Sequence, residues 1–163
     1  MQLVEIKDLF KTYGDVQALN GLSLDIPKGS LFGLLGPNGS GKSTTIKILC
    51  TLLSPDSGQI LISGINALEE SRAVRRKLGY VSQEVSIDKI LTGRELLELQ
   101  GDLYHLPSNT RNVRIEELIS RLEMSEWINR RCGSYSGGMQ RRLDLASGLI
   151  HKPELLILDE PTV

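Results

Sequence analysis

Residues 36–43 read Gly36-Pro37-Asn38-Gly39-Ser40-Gly41-Lys42-Ser43, a full match to the pattern G-x-x-x-x-G-K-[ST]. A short apolar run precedes the match and a helical pattern follows it, the context in which this spacing binds phosphate. Glycines let backbone N–H groups turn inward around an anion, and the following helix aims the positive end of its dipole at the same point. Lys42 is then placed to reach the β- and γ-phosphates of a nucleoside triphosphate, and the Ser43 hydroxyl to ligate Mg²⁺. ATP with magnesium is the ligand these residue types suit. The competing reading is a glycine-rich turn that happens to end in Lys-Ser.

Asp159 follows the apolar run Leu155-Leu156-Ile157-Leu158, and a carboxylate emerging from a strand beside such a loop can hold magnesium through water. Glu160 comes next. Neighbouring residues at a strand end point in different directions, so Glu160 can face an attacking water as general base while Asp159 faces the metal. Otherwise the pair simply ends a strand in polar residues before Pro161. Between the two regions lies Ser134-Tyr135-Ser136-Gly137-Gly138-Met139-Gln140-Arg141-Arg142. Ser136 reads as a helix cap, and the bare backbone of Gly137 and Gly138 lets a phosphate come close. By itself this is a weak signal, because capped helix starts are common.

The elements that must position these residues can be read from periodicity. Residues 3–10, 22–26 and 30–35 read as strands, with Pro27-Lys28-Gly29 turning the chain between the last two. Ile46, Leu49 and Leu53 give residues 42–53 a helical spacing, broken by Ser54-Pro55-Asp56-Ser57-Gly58. Residues 59–63 form another strand, 69–78 a charged helix, and 79–83 a short strand ending in polar residues. From residue 91 to 148 the pattern is mostly helical. Thr92-Gly93-Arg94-Glu95 fits a capping box leading into Leu96, Leu99 and Leu103. Pro107-Ser108-Asn109 breaks that helix before a second one presenting Val113, Leu118, Ile119 and Leu122. The helix after Ser136 carries Leu143, Leu145, Leu149 and Ile150, and residues 155–158 suit a strand buried on both faces of a parallel sheet.

The chain has 163 residues, with 40% hydrophobic and 24% charged residues and a formal net charge of -1. That composition is globular, and it excludes a disordered tail or a strongly basic nucleic-acid binder. Arg141 and Arg142 lack interleaved aromatics and read as a solvated helix face or an intersubunit contact, so no direct nucleic-acid binding is expected. The start is charged too early for a secretory core, and no apolar run approaches the roughly 18 residues of a membrane span. A soluble, cytoplasmic chain follows. Cys50 and Cys132 read as reduced structural thiols, and His105 and His151 as surface or packing residues.

In combination these motifs resemble the nucleotide-binding domain of ABC transporters. GPNGSGKST looks like the Walker A motif, extending the nucleotide contacts to Thr44. YSGGM looks like the signature motif, and LLILDE like Walker B with its catalytic glutamate. The resemblance covers residues 3–163. The run YSGGMQRRLDLA, with Tyr135 and Met139 where the commonest signature has Leu and Gln, is most similar to the bacterial and archaeal drug-export branch, including daunorubicin resistance.

The implied fold is α/β: a P-loop NTPase (RecA-like) core with an N-terminal antiparallel β-subdomain and an inserted α-helical subdomain. Within one domain, residues 1–85 would form the β-subdomain and Walker A core. Residues 86–150 would be the helical part with the signature, and 151–163 the Walker B strand. The family continues past LDEPT with a D-loop, further strands and a switch histidine, so the resemblance implies a domain incomplete at its C-terminus. Neither His105 nor His151 maps to that histidine.

Two more roles come from the resemblance alone. Gln83 matches the glutamine that reaches magnesium and lies where membrane subunits dock, and Tyr13 matches the aromatic residue that stacks on adenine. Each has a plain alternative, Gln83 as a strand end and Tyr13 as a half-buried strand residue. The family pairs two such domains head to tail, with ATP between one Walker A loop and the other's signature helix. The implied partners are thus a second nucleotide-binding domain and transmembrane permease subunits, which would hold the chain at the inner face of the cell membrane. Three functions stay open: the ATPase subunit of an exporter, a module that binds MgATP but hydrolyses it poorly, and a soluble ABC ATPase unconnected with transport.

Overall fold

The computed structural model describes residues 1–82 and 87–159, which fall into two compact units, Met1–Leu78 and Gly79–Val163. The first unit is built on a four-stranded antiparallel sheet in the order β2-β1-β3-β4. Its strands are β1 (Gln2–Tyr13), β2 (Val16–Pro27), β3 (Ser57–Ile62) and β4 (Ile65–Asn66). Val4, Ile6 and Leu9 of β1 and Ile60 and Ile62 of β3 are buried, so the hydrophobic residues of the two paired strands supply the core of the sheet. The antiparallel β-subdomain expected at the N-terminus is therefore present.

Two helices belong to this unit, α1 (Lys42–Leu49) and α2 (Ser71–Lys77), each contributing a buried residue, Ile48 and Val74. Helix α1 is shorter than its apolar spacing suggested. Thr51 adopts φ 57°, and the bonds from Thr51 N–H to Ile48 and from Leu52 N–H to Lys47 close the helix in a left-handed turn. Residues 30–35 depart further from expectation, because they form no strand and Leu31 and Leu35 lie in solvent, at 101% and 92% exposure. An apolar run has strand character, but a strand exists only where another chain segment accepts its ladder bonds. Among the described residues none pairs with it.

The second unit is mostly helical. Strand β5 (Leu78–Val81) begins at the junction of the units and pairs with β6 (Leu155–Leu158). The helices are α3 (Gly93–Leu103), α4 (Ser108–Arg121) and α5 (Gly137–Leu149). The expected capping box is present, with the Thr92 hydroxyl accepting from Glu95 N–H and the Glu95 carboxylate accepting from Thr92 N–H at 2.8 Å.

The apolar faces differ from the spacing read in sequence. In α3 the buried pair is Leu96 and Leu97, while Leu99 and Leu103 face solvent; in α4 Ile115 is buried and Val113 is exposed. Ile115, Leu118 and Ile119 keep helical periodicity, and with Leu96 and Leu97 of α3 they join one buried cluster with Leu143 and Ala146 of α5 and Ile150 just beyond it. The run 155–158 forms its strand but is not covered on both sides. Leu155 is buried and Leu158 is 40% exposed, because β5 is its one paired neighbour among the described residues. No helix in the described residues is long and apolar enough to cross a membrane.

Candidate nucleotide site

In the first unit, the phosphate loop is held by backbone geometry. Gly41 precedes α1 at φ 89°, a conformation costly to any residue with a Cβ, and a Cβ there would lie 2.6 Å from the Ala18 carbonyl oxygen of β2. Glycine is thus required both for the turn into the helix and for the approach of β2. Thr45 reinforces the same point, since its N–H and its hydroxyl both donate to the Gly41 carbonyl, at 2.8 and 2.9 Å. A turn bond from Ser40 N–H to Pro37 closes the loop.

Lys42 folds back over this loop. Its Nζ donates to the carbonyl oxygens of Gly36 at 2.6 Å and Pro37 at 2.9 Å. A cation aligned by two loop carbonyls sits beside the free backbone N–H groups of the first helical turn, the donor set that a polyphosphate requires. Residues 36–40 are exposed, as is Ser43, so the cradle is open to solvent. Thr44 follows in the first turn of α1 and is half-buried. Tyr13 ends β1 opposite Val16 and is 47% exposed as a residue, with Lys11 Nζ 5.7 Å from its ring centroid. That half-open aromatic face is the kind of surface on which a base stacks.

The second unit holds the remaining described candidates. Asp159 lies directly after β6, its N–H donating to Val81 at 2.9 Å. The Tyr80 hydroxyl donates to Asp159 Oδ2 at 3.2 Å, so both backbone and carboxylate are tied to β5. Ser136 caps α5 by accepting from Met139 N–H at 3.4 Å, while Gly137 and Gly138 occupy the first helical positions, whose N–H groups have no acceptor within the helix. A Cβ added at either glycine meets nothing within 4 Å. The helix start is therefore open to an anion. Gln83 and Glu160 lie outside the described residues.

A hydroxyl (Ser43) and a carboxylate (Asp159) are hard oxygen donors of the kind Mg²⁺ takes, together with water and phosphate oxygens. No three His, Cys, Asp or Glu side chains gather into a metal cluster among the described residues. Ser43 and Asp159, each taken by itself, are donor types that suit a magnesium ion arriving with a nucleotide.

Sequence reasoning missed three ties. Tyr80 to Asp159 spans 79 positions. Arg141 is no solvated cation, since it donates to the Ser82 carbonyl at 2.6 Å and pairs with Asp144 at 3.3 Å. Arg142 does face solvent. The third tie is the buried hydroxyl of Tyr135, which accepts from Gly93 N–H. Cys50 and Cys132 are buried, reduced thiols, and burial pushes the Cys132 thiol up, away from reactivity. His151 stacks on Tyr104 at 3.7 Å, the packing role expected of it.

The sequence pattern of the family described as ABC transporter matches residues 19–163. The chain belongs to the ABC transporter family. This ABC domain is 47% identical over 152 residues to a daunorubicin resistance ATP-binding protein of Streptomyces coeruleorubidus, covering 93% of this chain and 48% of that protein. It is also similar to a solved ATP binding subunit of an ABC transporter, with TM-score 0.88 and 28% identity over 99% of this chain and 67% of the other. A dimeric ATP-binding cassette in a post-hydrolysis state with ADP and Pi matches at TM-score 0.84 and 31% identity, over 98% of this chain and 74% of the other. The α/β P-loop fold is thereby confirmed. The ABC domain spans about half the length of the curated relatives it matches.

Proposed function

We propose that this ABC domain binds MgATP and hydrolyses it while paired head to tail with a second nucleotide-binding domain, and that the cycle drives export through transmembrane permease subunits at the inner face of the cell membrane. The observation that carries the reading is the phosphate loop with Gly41 in the left-handed region and Lys42 aligned on two loop carbonyls. The names of the drug-resistance relatives and the dimeric cassette with ADP and Pi support the wider context.

In this reading residues Gly36, Pro37, Asn38, Gly39, Ser40 and Gly41 wrap the phosphates, Lys42 neutralises the β- and γ-phosphates, Ser43 and Thr44 bind alongside, and Tyr13 stacks on adenine. Ser43, Asp159 and Gln83 hold the magnesium, which when bound neutralises phosphate charge. Tyr80 orients the Asp159 carboxylate. Glu160 takes a proton from the attacking water as the water oxygen bonds to the γ-phosphorus, and the bond from that phosphorus to ADP breaks. Ser136, Gly137 and Gly138 serve the partner's nucleotide, where their helix start faces a γ-phosphate.

The test is steady-state ATP hydrolysis by the purified protein alongside Lys42→Ala and Glu160→Gln. The reading expects both variants to lose activity by about 10²–10³-fold, the usual cost of removing one charge-stabilising or proton-accepting group. Wild-type turnover in Lys42→Ala would refute it.

A further inference from the structure

Tyr135, the first residue of the signature run, is more firmly held than the cap and glycines that follow it. Tyr135 is buried, at 6% exposure, and its hydroxyl lies 3.1 Å from the Trp127 carbonyl, 3.2 Å from that of Ile128 and 3.1 Å from that of Arg130. It also accepts the Gly93 N–H at 3.2 Å, across 42 positions of sequence. The single hydroxyl proton serves one carbonyl at a time, while a lone pair serves the first N–H of α3. Burial pushes the Tyr135 phenol up, so it keeps its proton at neutral pH. The ring packs edge-on against Trp127, with centroids 4.9 Å apart.

Gly93 fits this arrangement sterically. A Cβ there would lie 2.5 Å from the Tyr135 oxygen and 2.8 Å from Ile128 Cδ1. Backbone bonds run beside the hydroxyl, from Cys132 N–H to Leu91 and from Gly133 N–H to Lys89. Gln140 Nε2 holds the Tyr135 carbonyl at 3.3 Å. By contrast Ser136, Gly137 and Gly138 are exposed, and the cap bond is long at 3.4 Å. The position of the helix start is therefore set one residue upstream, inside the core.

We propose that Tyr135 is a positioning residue whose hydroxyl registers the start of α5, and with it the N–H groups of Gly137 and Gly138, against the N-terminus of α3. The inference rests on reading that helix start as the γ-phosphate contact to a partner's nucleotide. Without the hydroxyl, Gly93 N–H is left buried without its acceptor, and the segment must shift or admit water to satisfy it. A shift there displaces Ser136 directly. The nucleotide loop lies in the other unit of the chain.

The test measures two affinities in the intact protein carrying Glu160→Gln, chosen because the proposed function has it slow hydrolysis: MgATP binding to the monomer, and ATP-dependent pairing by sedimentation. Tyr135→Phe should leave monomer affinity unchanged and weaken pairing about tenfold at a temperature well below its melting point, the worth of one hydrogen bond. Gly93→Ala, which presses on the hydroxyl from the other side, should weaken pairing in the same sense, and less so when combined with Tyr135→Phe. Gly138→Asp, whose side chain has room but puts a carboxylate where the anion binds, should abolish pairing. Should Tyr135→Phe fold poorly, Gly93→Ala carries the same comparison. Pairing as tight as the parent in both variants, with Gly138→Asp defective, would overturn the role of Tyr135 and leave the signature reading intact. Normal pairing by Gly138→Asp would overturn both.

Discussion

The phosphate loop at residues 36–43 is made by backbone and stays at the surface, whereas the start of α5 is aimed by side chains buried beneath it. In the loop, shape comes from left-handed Gly41, the turn at Ser40 and the carbonyls that hold Lys42. Few of these residues pack against anything. In the signature region the exposed glycines do little to fix themselves, and the Tyr135 hydroxyl, Gly93 and the turn at residues 127–130 do it for them. A site of the first kind can lose function without losing stability. A site of the second kind joins the two.

The contrast is sharpest when side chains are removed. Tyr135→Ala takes out a buried ring and its hydroxyl, so unfolding free energy should fall by about 3–5 kcal/mol in urea denaturation. Lys42→Ala should leave the unfolding free energy within about 0.5 kcal/mol of wild type, because the hydrogen bonds Lys42 makes among the described residues go to carbonyls of its own loop. Its MgATP affinity should nevertheless drop about 10–100-fold, the worth of a charge-assisted contact. If Lys42→Ala also lowered stability by several kcal/mol, the separation drawn between the two regions would be lost.

Arg141→Met probes the tie between α5 and the end of β5. Burial holds the Asp144 carboxyl above its usual range and Arg141 opposes that rise. Removing the cation raises the folded-state value further above the unfolded one, so the deficit is fully expressed at neutral pH and shrinks as acidity protonates Asp144. Denaturation at pH 7.5 should show a loss of about 1–3 kcal/mol, and a smaller one at pH 5. An equal deficit at both pH values would exclude Asp144 as its source.

The smallest effect concerns the cap of α3. Thr92→Ala should cost about 0.5–2 kcal/mol. The Thr92 N–H, and then its hydroxyl, hold the Glu95 carboxyl below its usual range. Glu95 therefore stabilises the fold above its unfolded value and loses that contribution as pH falls through the depressed one. The deficit of Glu95→Gln should be present at pH 7 and fade below about pH 4, as read from melting temperatures.

Local chemistry was legible in the sequence. The glycine spacing at 36–43, the capping box at Thr92 and the cap at Ser136 depend on neighbours within a few residues, and each forms where the chain suggested. The strand reading of residues 30–35 failed because pairing is decided by a distant partner that periodicity does not contain. Helix faces were misread for the same reason. Leu99 and Leu103 keep helical spacing with Leu96, but only the position of α5 decides that Leu97 points inward instead. Tyr80, Tyr135 and Arg141 escaped notice because their partners lie 79, 42 and 59 positions away.

The central claim is that the loop at residues 36–43 binds a nucleoside triphosphate through Lys42. Calorimetric titration of MgATP into wild type and Lys42→Ala, with both shown to be folded, tests it most directly. The account predicts saturable binding by wild type and affinity at least about tenfold weaker in the variant. Equal affinities, or a folded wild-type protein that takes up no nucleotide, would contradict it.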